Sequence, residues 1–257
     1  MKKEESIYKL SVAIVAHDFE GKSLDYFKRL LDSIIMQNLH NFEVIISDQS
    51  GNKKFLEVIQ ETIIPSCIDF KYFESQSTNA SENLNFAISK CSSEFIKIMF
   101  LDDFFHSPNA LSRFNDAFIS GAKWVASAQT HWDEQAQHYY RDMVPCWNDQ
   151  MVSGNNTIGN PSVIAFQHNK KFKFDNRLFY LFDTDFYQFL KNIYGEPYIL
   201  NEILIATSAN NGGASQSIPS QENFNDLLQE ELKISYENRF VSCKDCKNGG
   251  LNCEIPS

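Results

Sequence analysis

Phe95-Ile-Lys-Ile-Met-Phe-Leu-Asp-Asp103 is an apolar run, short for a helix, that stops on two consecutive acids. Its length and its ending predict a buried parallel strand whose carboxyl end carries Asp102 and Asp103. Two adjacent carboxylates at the end of a buried segment are costly unless hydrogen bonds or cations meet them. Mg²⁺ or Mn²⁺ is their natural partner, because one or two carboxylates plus phosphate oxygens complete the shell of such ions. A solvated turn is the alternative, since strands often stop at polar residues.

Upstream, the same strand signal recurs in Leu10-Ser-Val-Ala-Ile-Val-Ala16, in Phe42-Glu-Val-Ile-Ile-Ser47 and, shorter, in Phe70-Lys-Tyr-Phe73. Between them lie helical patterns. From Leu24 to Met36 the apolar positions Leu24, Phe27, Leu30, Leu31, Ile34 and Ile35 recur at three-and-four spacing, with Asp25, Lys28, Arg29 and Asp32 on the other face. After the polar break Asp48-Gln-Ser-Gly-Asn52, a second helix runs through Phe55, Leu56, Val58 and Ile59. Ser81 is placed to cap a third, whose apolar face carries Leu84, Phe86, Ala87 and Ile88. Strands alternating with helices predict an α/β fold with a mostly parallel central sheet flanked by helices. Ligands in such sheets sit beyond the carboxyl ends of the strands. Those ends carry Ala16-His17, Asp48 and Asp102-Asp103. Asp48 can accept from a uracil imide N–H or a ribose hydroxyl, or it can merely cap the next helix.

Beyond about residue 120 the periodicity weakens, and Trp124, His131, Trp132, His138, Tyr139, Tyr140 and Trp147 are scattered through the chain. These rings belong to a core or offer faces for a ligand to stack on. A strand over Pro161–Phe166 and a helix over Phe182–Tyr194 follow. The expected organisation is one domain with two lobes, residues 1–120 and 121–220, and a polar tail over 221–257.

With 43% hydrophobic residues among 257, the chain can bury a sizeable core. Its net charge of −10 argues against a surface that tracks nucleic acid. No stretch reaches the roughly 20 apolar residues of a membrane span, and the start lacks a signal-peptide core. A cytoplasmic protein is expected, able to work at the cytoplasmic face of a membrane, and the sequence leaves its oligomeric state open. Cys243-Lys-Asp-Cys246 with Cys253 reads as free thiols on the tail or as part of a zinc site lacking a fourth ligand. In a cytosolic chain the sequons Asn79-Ala-Ser81 and Asn155-Asn-Thr157 stay unmodified.

Several of these segments together resemble the family-2 glycosyltransferases of GT-A fold, from about residue 9 to about 210. They are the opening Ser-Val-Ala-Ile-Val-Ala, Leu31-Asp-Ser-Ile-Ile-Met-Gln-Asn38, Asn41-Phe-Glu-Val-Ile-Ile-Ser-Asp48, Asn79-Ala-Ser-Glu-Asn-Leu-Asn-Phe-Ala-Ile88 and Glu94-Phe-Ile-Lys-Ile-Met-Phe-Leu-Asp-Asp103. The resemblance implies transfer of a sugar, with inversion, from a nucleotide sugar, a UDP-sugar for preference. The acceptor would be a carbohydrate or lipid-linked glycan, and Mn²⁺ or Mg²⁺ would assist. It implies Asp48 on uracil, Asp102 on ribose or sugar, Asp103 on the metal, and Asn83 or Asn85 near the donor, with Ala16 and His17 as lining. Phe100 stands where the commoner metal motif has its first acid, which leaves the metal ligand open between Asp102 and Asp103. Asp183 matches the base of the family's second acidic motif better than Asp185 does. The 205–214 segment lacks the Arg or His of many relatives, so either the metal alone would stabilise the leaving group or a basic residue would come from elsewhere, with Lys170, Lys171 and Arg177 the nearest candidates. The resemblance implies the donor on the 1–120 lobe, and the acceptor with the catalytic base on the 121–220 lobe. A catalytically silent sugar- or nucleotide-binding module and a nucleotidyltransferase are the rival readings. A nicotinamide-dependent dehydrogenase is disfavoured because Ala16-His-Asp-Phe-Glu-Gly21 is no glycine-rich turn.

Overall fold

In the computed structural model, which describes residues 9–18, 23–169, 172–209 and 224–245, the apolar runs of the N-terminal half become strands, the central ones hidden on both faces and β3 (Ile68–Glu74) half-buried. β1 (Ser11–Ala16) and β2 (Phe42–Asp48) are buried along their whole lengths. Helix α1 (Ser23–Ile35) connects them, and α2 (Lys54–Glu61) leads to β3 (Ile68–Glu74). Helix α3 (Ala80–Lys90) then leads to β4 (Phe95–Phe100). The four strands are parallel in the order β3-β2-β1-β4. Ala16 pairs with Asp48, and Asp48 with Glu74, so three carboxyl ends lie level.

The second half extends the same sheet. β5 (Phe104–Phe105), α4 (Ala110–Ile119), β6 (Trp124–Asp133), β7 (His138–Met143), β8 (Ile164–Gln167), α5 (Phe182–Tyr194), β9 (Tyr198–Ala209) and α6 (Phe224–Asp245) follow in order. β8 lies antiparallel between β4 and β6, β9 runs parallel to β6, and β5 and β7 are antiparallel additions. The sheet is parallel through β4, as expected, and mixed beyond it. It continues unbroken across residue 120, so the two lobes share one sheet.

α1 packs Phe27, Leu30, Leu31 and Ile34 into the core, and the Phe27 ring meets Phe55 of α2 edge-on at 5.1 Å. Fully burying each such side chain contributes roughly 1.5–3 kcal/mol. Three expectations need correction. α3 is capped by Asn79, whose side chain accepts from the Glu82 N–H at 2.9 Å, while Ser81 lies inside the helix. Pro161–Val163 forms a 3₁₀ turn ahead of β8 because the Asn160 side chain caps it at Ser162 N–H. Residues 224–245, expected in a polar tail, form a helix against α5.

Behind the sheet, the fully buried Glu43 of β2 collects Ser11 Oγ (2.5 Å), Ser92 N–H (2.6 Å), Ser92 Oγ (2.8 Å) and Lys71 Nζ (2.7 Å). Burial alone would raise its pKa, but the bonds from Lys71, Ser11 and Ser92 outweigh it and hold the carboxyl below the ordinary glutamate range. A carboxylate with a depressed folded pKa adds stability that is complete above the unfolded pKa and is lost as pH falls through the folded one. Glu43→Gln should therefore cost about 2–3 kcal/mol in urea unfolding at neutral pH, and the gap to wild type should close in acid below the ordinary glutamate range. A gap that stays constant into acid would remove Glu43 as its source.

Candidate functional site

Asp48 ends β2 at 1% exposure. One carboxylate oxygen accepts from Tyr72 Oη at 2.6 Å and the other from Ser50 N–H at 2.8 Å. Burial and the bond to Asp48 both raise the Tyr72 pKa, so the phenol stays a donor. Each oxygen of a carboxylate has a further lone pair to offer. Next to it, Asp18 N–H donates to Ser50 Oγ (2.7 Å), and the Asp18 carboxylate takes Lys54 Nζ and Asn52 Nδ2, each at 3.0 Å. The loops after β1 and β2 are thereby tied together, with Ala16 and His17 at their root. Ala16 accepts from Gln49 N–H at 3.1 Å.

Asn83 and Asn85, two residues apart on α3, face different partners. Asn83 is buried and stitches the ends of β1 and β2: it accepts from Ser47 Oγ and donates to Ser47 O at 3.1 Å and to Ala16 O at 3.5 Å. Asn85 pairs with the Phe174 backbone like a short strand, donating to Phe174 O and accepting from Phe174 N–H, both at 2.8 Å. Asn83 alone of the two sits against the strand ends.

Past β4 the chain turns at Asp102 and buries Asp103 to 2% exposure. Asp103 accepts from Asn160 Nδ2 at 2.8 Å and from Ser208 N–H at 3.0 Å. Both donors are neutral. Burial first, and the neighbouring Asp102 charge second, raise the Asp103 pKa, as expected of an acid pair that its hydrogen-bond donors leave uncompensated. Among the described residues no group of three or more His, Cys, Asp or Glu gathers for a metal. Two hard carboxylate ligands fit a Mg²⁺-like ion that completes its shell with phosphate oxygens and water. Beneath them, the fully buried Lys97 of β4 donates to Ile98 O (2.8 Å) and to Ser162 O, and Ser162 Oγ accepts from Phe100 N–H at 2.8 Å. These bonds pin the 160–163 turn that aims Asn160 at Asp103.

Asp183 and Asp185 open α5 but point apart. Asp183 is half-buried, accepting from Asn156 Nδ2 (2.7 Å) and Thr184 N–H (2.6 Å). Burial pushes its pKa up to about 6. Asp185 is 7% exposed and accepts from Asn238 of α6 at 3.2 Å. Residues 156–160 thus form a strap with one asparagine on each acid. Gly159 within it has φ +116°, and a Cβ there would stand 3.1 Å from Gln129 Oε1. Tyr187 Oη of α5 holds its carbonyl at 2.9 Å.

The cation that reaches the acid pair is Arg29, read from sequence as lying on the polar face of α1. Its guanidinium forks onto Glu134 at 2.9 and 2.6 Å, donates to Asp102 O at 2.9 Å and covers the Phe104 ring at 4.5 Å. Arg177 instead pairs with Asp175 at 2.6 Å and bonds Asn238. Lys170, Lys171 and residues 210–214 lie outside the described residues, as do Cys246, Cys253 and the Cys243 side chain. Trp124 is core, donating to Gly195 O at 2.8 Å, whereas Tyr139 and Tyr140 are about half exposed. A ladder of edge-on and tilted rings, Phe104–Trp132–Tyr139–His106, runs outward from beside Asp103.

Asn156, Asn160 and Arg29 escape a reading by local pattern. Only Asn160 leaves a signal, an N-cap residue before a proline at the first position of a turn.

Among curated protein sequences none matches the chain. Among solved structures, S. aureus TarS 1-349 in complex with UDP-GlcNAc superposes with a TM-score of 0.62 at 15% identity, over 88% of this chain and 66% of that one. The same TarS fragment in complex with UDP gives 0.58 at 13%, over 78% and 60%. The mannosyltransferase PcManGT from Pyrobaculum calidifontis, in complex with GDP-Man and Mn²⁺, gives 0.58 at 11%, over 97% and 79%. The chain spans less than two thirds of the length of these TarS chains. At such identities the likeness is one of fold, here the GT-A fold. The sequence model described as glycosyl transferase family 2 matches residues 11–187, which hold β1 to β8 and all four of Asp102, Asp103, Asp183 and Asp185, and the chain belongs to that family.

Proposed function

We propose that the protein transfers a sugar from a nucleotide sugar, a UDP-sugar, to a hydroxyl of a glycan or lipid-linked glycan with inversion at the anomeric carbon. The observation that carries this reading is the strap: Asn160 holds Asp103 and Asn156 holds Asp183, so that the buried acid of the pair and a raised-pKa carboxylate are tied to one segment. The TarS and PcManGT complexes support a nucleotide-sugar donor, and PcManGT a divalent metal.

In this reading Asp48 accepts from the base, and Asn83 keeps the strand ends that carry Asp48 and Ala16 in register. Asp103, with or without Asp102, would hold Mn²⁺ or Mg²⁺. When bound, the ion would offset the charge on the departing diphosphate. Arg29, locked by Glu134, fixes the Asp102 turn through its carbonyl. Asp183 takes the proton of the attacking hydroxyl as its oxygen bonds the anomeric carbon, and the C–O bond electrons leave with the nucleoside diphosphate. With its pKa raised to about 6, Asp183 is still mostly ionised at neutral pH and is a stronger base than an aqueous carboxylate. Asp185, turned toward α6, supports the helix. The half-exposed Tyr139 ring, third in the ladder, offers an apolar face to an acceptor sugar.

UDP binding followed by calorimetry should be at least on the order of tenfold tighter with Mn²⁺ than with EDTA, and Asp103→Asn should abolish that difference. Equal affinity in EDTA would remove the metal from the site. Asp183→Asn should lower kcat by about 10²–10⁴ with donor affinity nearly intact, while Asp185→Asn is milder. In wild type, kcat/KM should fall as pH drops through about 6, because protonation removes the base. An active Asp183→Asn beside an inactive Asp185→Asn would reverse the assignment. Donor binding with no turnover under any condition would instead favour the silent-module reading.

A further inference from the structure

We propose that Glu231, on a helix beyond the part of the chain that the family model matches, is a positioning residue for the catalytic base: it fixes the backbone segment 179–181 that leads into α5 and so sets where Asp183 stands. This rests on the reading of Asp183 as the base. The first N–H groups of a helix and its lead-in have no partner within the helix, and α5 has Leu181 at its N-cap position, which makes no side-chain cap. The missing acceptor comes from α6. Glu231, at 2% exposure, takes Phe179 N–H (2.8 Å), Tyr180 N–H (3.0 Å) and Leu181 N–H (2.8 Å), three consecutive donors on one carboxylate.

The same face of α6 returns to this segment two turns later. Asn238 Nδ2 donates to Asp185 at 3.2 Å and to Asp175 at 3.0 Å, with Ser235 buried between them. Glu231, Ser235 and Asn238 fall at helical spacing, so α6 grips the base segment with a polar seam. Removing the Glu231 carboxylate would strand buried N–H groups, which then seek other partners and turn the start of α5. Its charge also acts on Asp183. Burial is the main cause that raises the Asp183 pKa, and the Glu231 charge adds a smaller push in the same direction. The groups around Asp183 are the Asn156 amide from the strap, Glu231 from α6 and Tyr187 on its own helix.

The test uses the full chain with UDP-N-acetylglucosamine and Mn²⁺, water as acceptor and UDP release as readout, together with ¹³C titration of the Asp183 carboxyl and amide exchange over 179–181. Glu231→Gln should lower kcat on the order of 10- to 100-fold at unchanged donor KM. It should also move the acid limb and the Asp183 midpoint to lower pH, since the repelling charge is gone, and expose the three amides to exchange. Glu231→Asp keeps the charge on a shorter arm, so the acid limb should stay while kcat falls. Glu230→Gln, an exposed neighbour, should change nothing. A lower melting temperature with wild-type kcat and an unmoved limb would make Glu231 a plain structural cap and overturn the proposal. If Glu231→Gln does not fold, Glu231→Asp decides, and wild-type turnover there overturns it. Full turnover in Asp183→Asn would sink the base assignment alone. An Asp183 midpoint indifferent to Glu231 would sink the coupling alone, and that titration decides even if no UDP is released.

Discussion

A carboxylate sealed between two neutral donors, Asp103 between the Asn160 amide and the Ser208 N–H, is the contact on which the arrangement of the site depends. It joins the end of β4 to the strap before β8 and to the end of β9, three pieces of chain with no local reason to meet. A solvated turn would need neither donor. Hydrogen bonds from neutral groups satisfy the lone pairs of Asp103 without offsetting its charge, so the protein accepts a local excess of negative charge there. Arg29 does not remove that excess, because Glu134 already takes its guanidinium. Asp183 shares these features, since it too is met by neutral donors and has its pKa raised by burial.

Rigidity under the pair comes from a different source. Lys97 is fully buried and bonds carbonyls rather than a carboxylate, and burial drives its pKa well below the usual lysine range. Its ammonium position also lies 5.0 Å from the Phe114 ring centre. The polar end of Lys97 thus fastens the 160–163 turn from below, while Ser162 fastens it to the backbone of β4. The strap is held again at Gly159, where the left-handed backbone and the approach of Gln129 exclude a side chain.

How much of this is legible in the sequence follows from the range of each interaction. β1 to β4 and their helices announce themselves because their apolar periods are local, and the strand ends that hold Asp48, Asp102 and Asp103 follow from them. The α5 boundaries, Phe182–Tyr194, are readable for the same reason. The strap is not, since Asn156 and Asn160 acquire meaning only from Asp183 and Asp103, distant in sequence. Strand β6 pairs with β9 across more than seventy residues, with register shifts around Ala128 that blur its alternation. Helix α6 reads as a tail because part of its buried face is Glu231, Ser235 and Asn238, and apolar periodicity does not report a polar seam. The Asn79 cap shows a smaller version of the same limit, as Ser81 offers an equally good oxygen in the wrong place.

The pairing of Asp103 with Ser208 also bears on how the chain is made. Synthesis proceeds from the N-terminus, and domains begin folding before it ends. When β1 to β4 have emerged they can close their parallel sheet, but Asp103 then lacks both of its donors. Asn160 arrives with the turn before β8, and Ser208 only with the last strand, which must insert beside β6 and against β5. Long-range parallel pairing is slow, because loop closure must precede any gain in contacts. Until β9 docks, the Asp103 carboxylate has no Ser208 N–H to accept from. A chain that ends before β9 has the first four strands and Asp103 but not the Ser208 N–H that meets it.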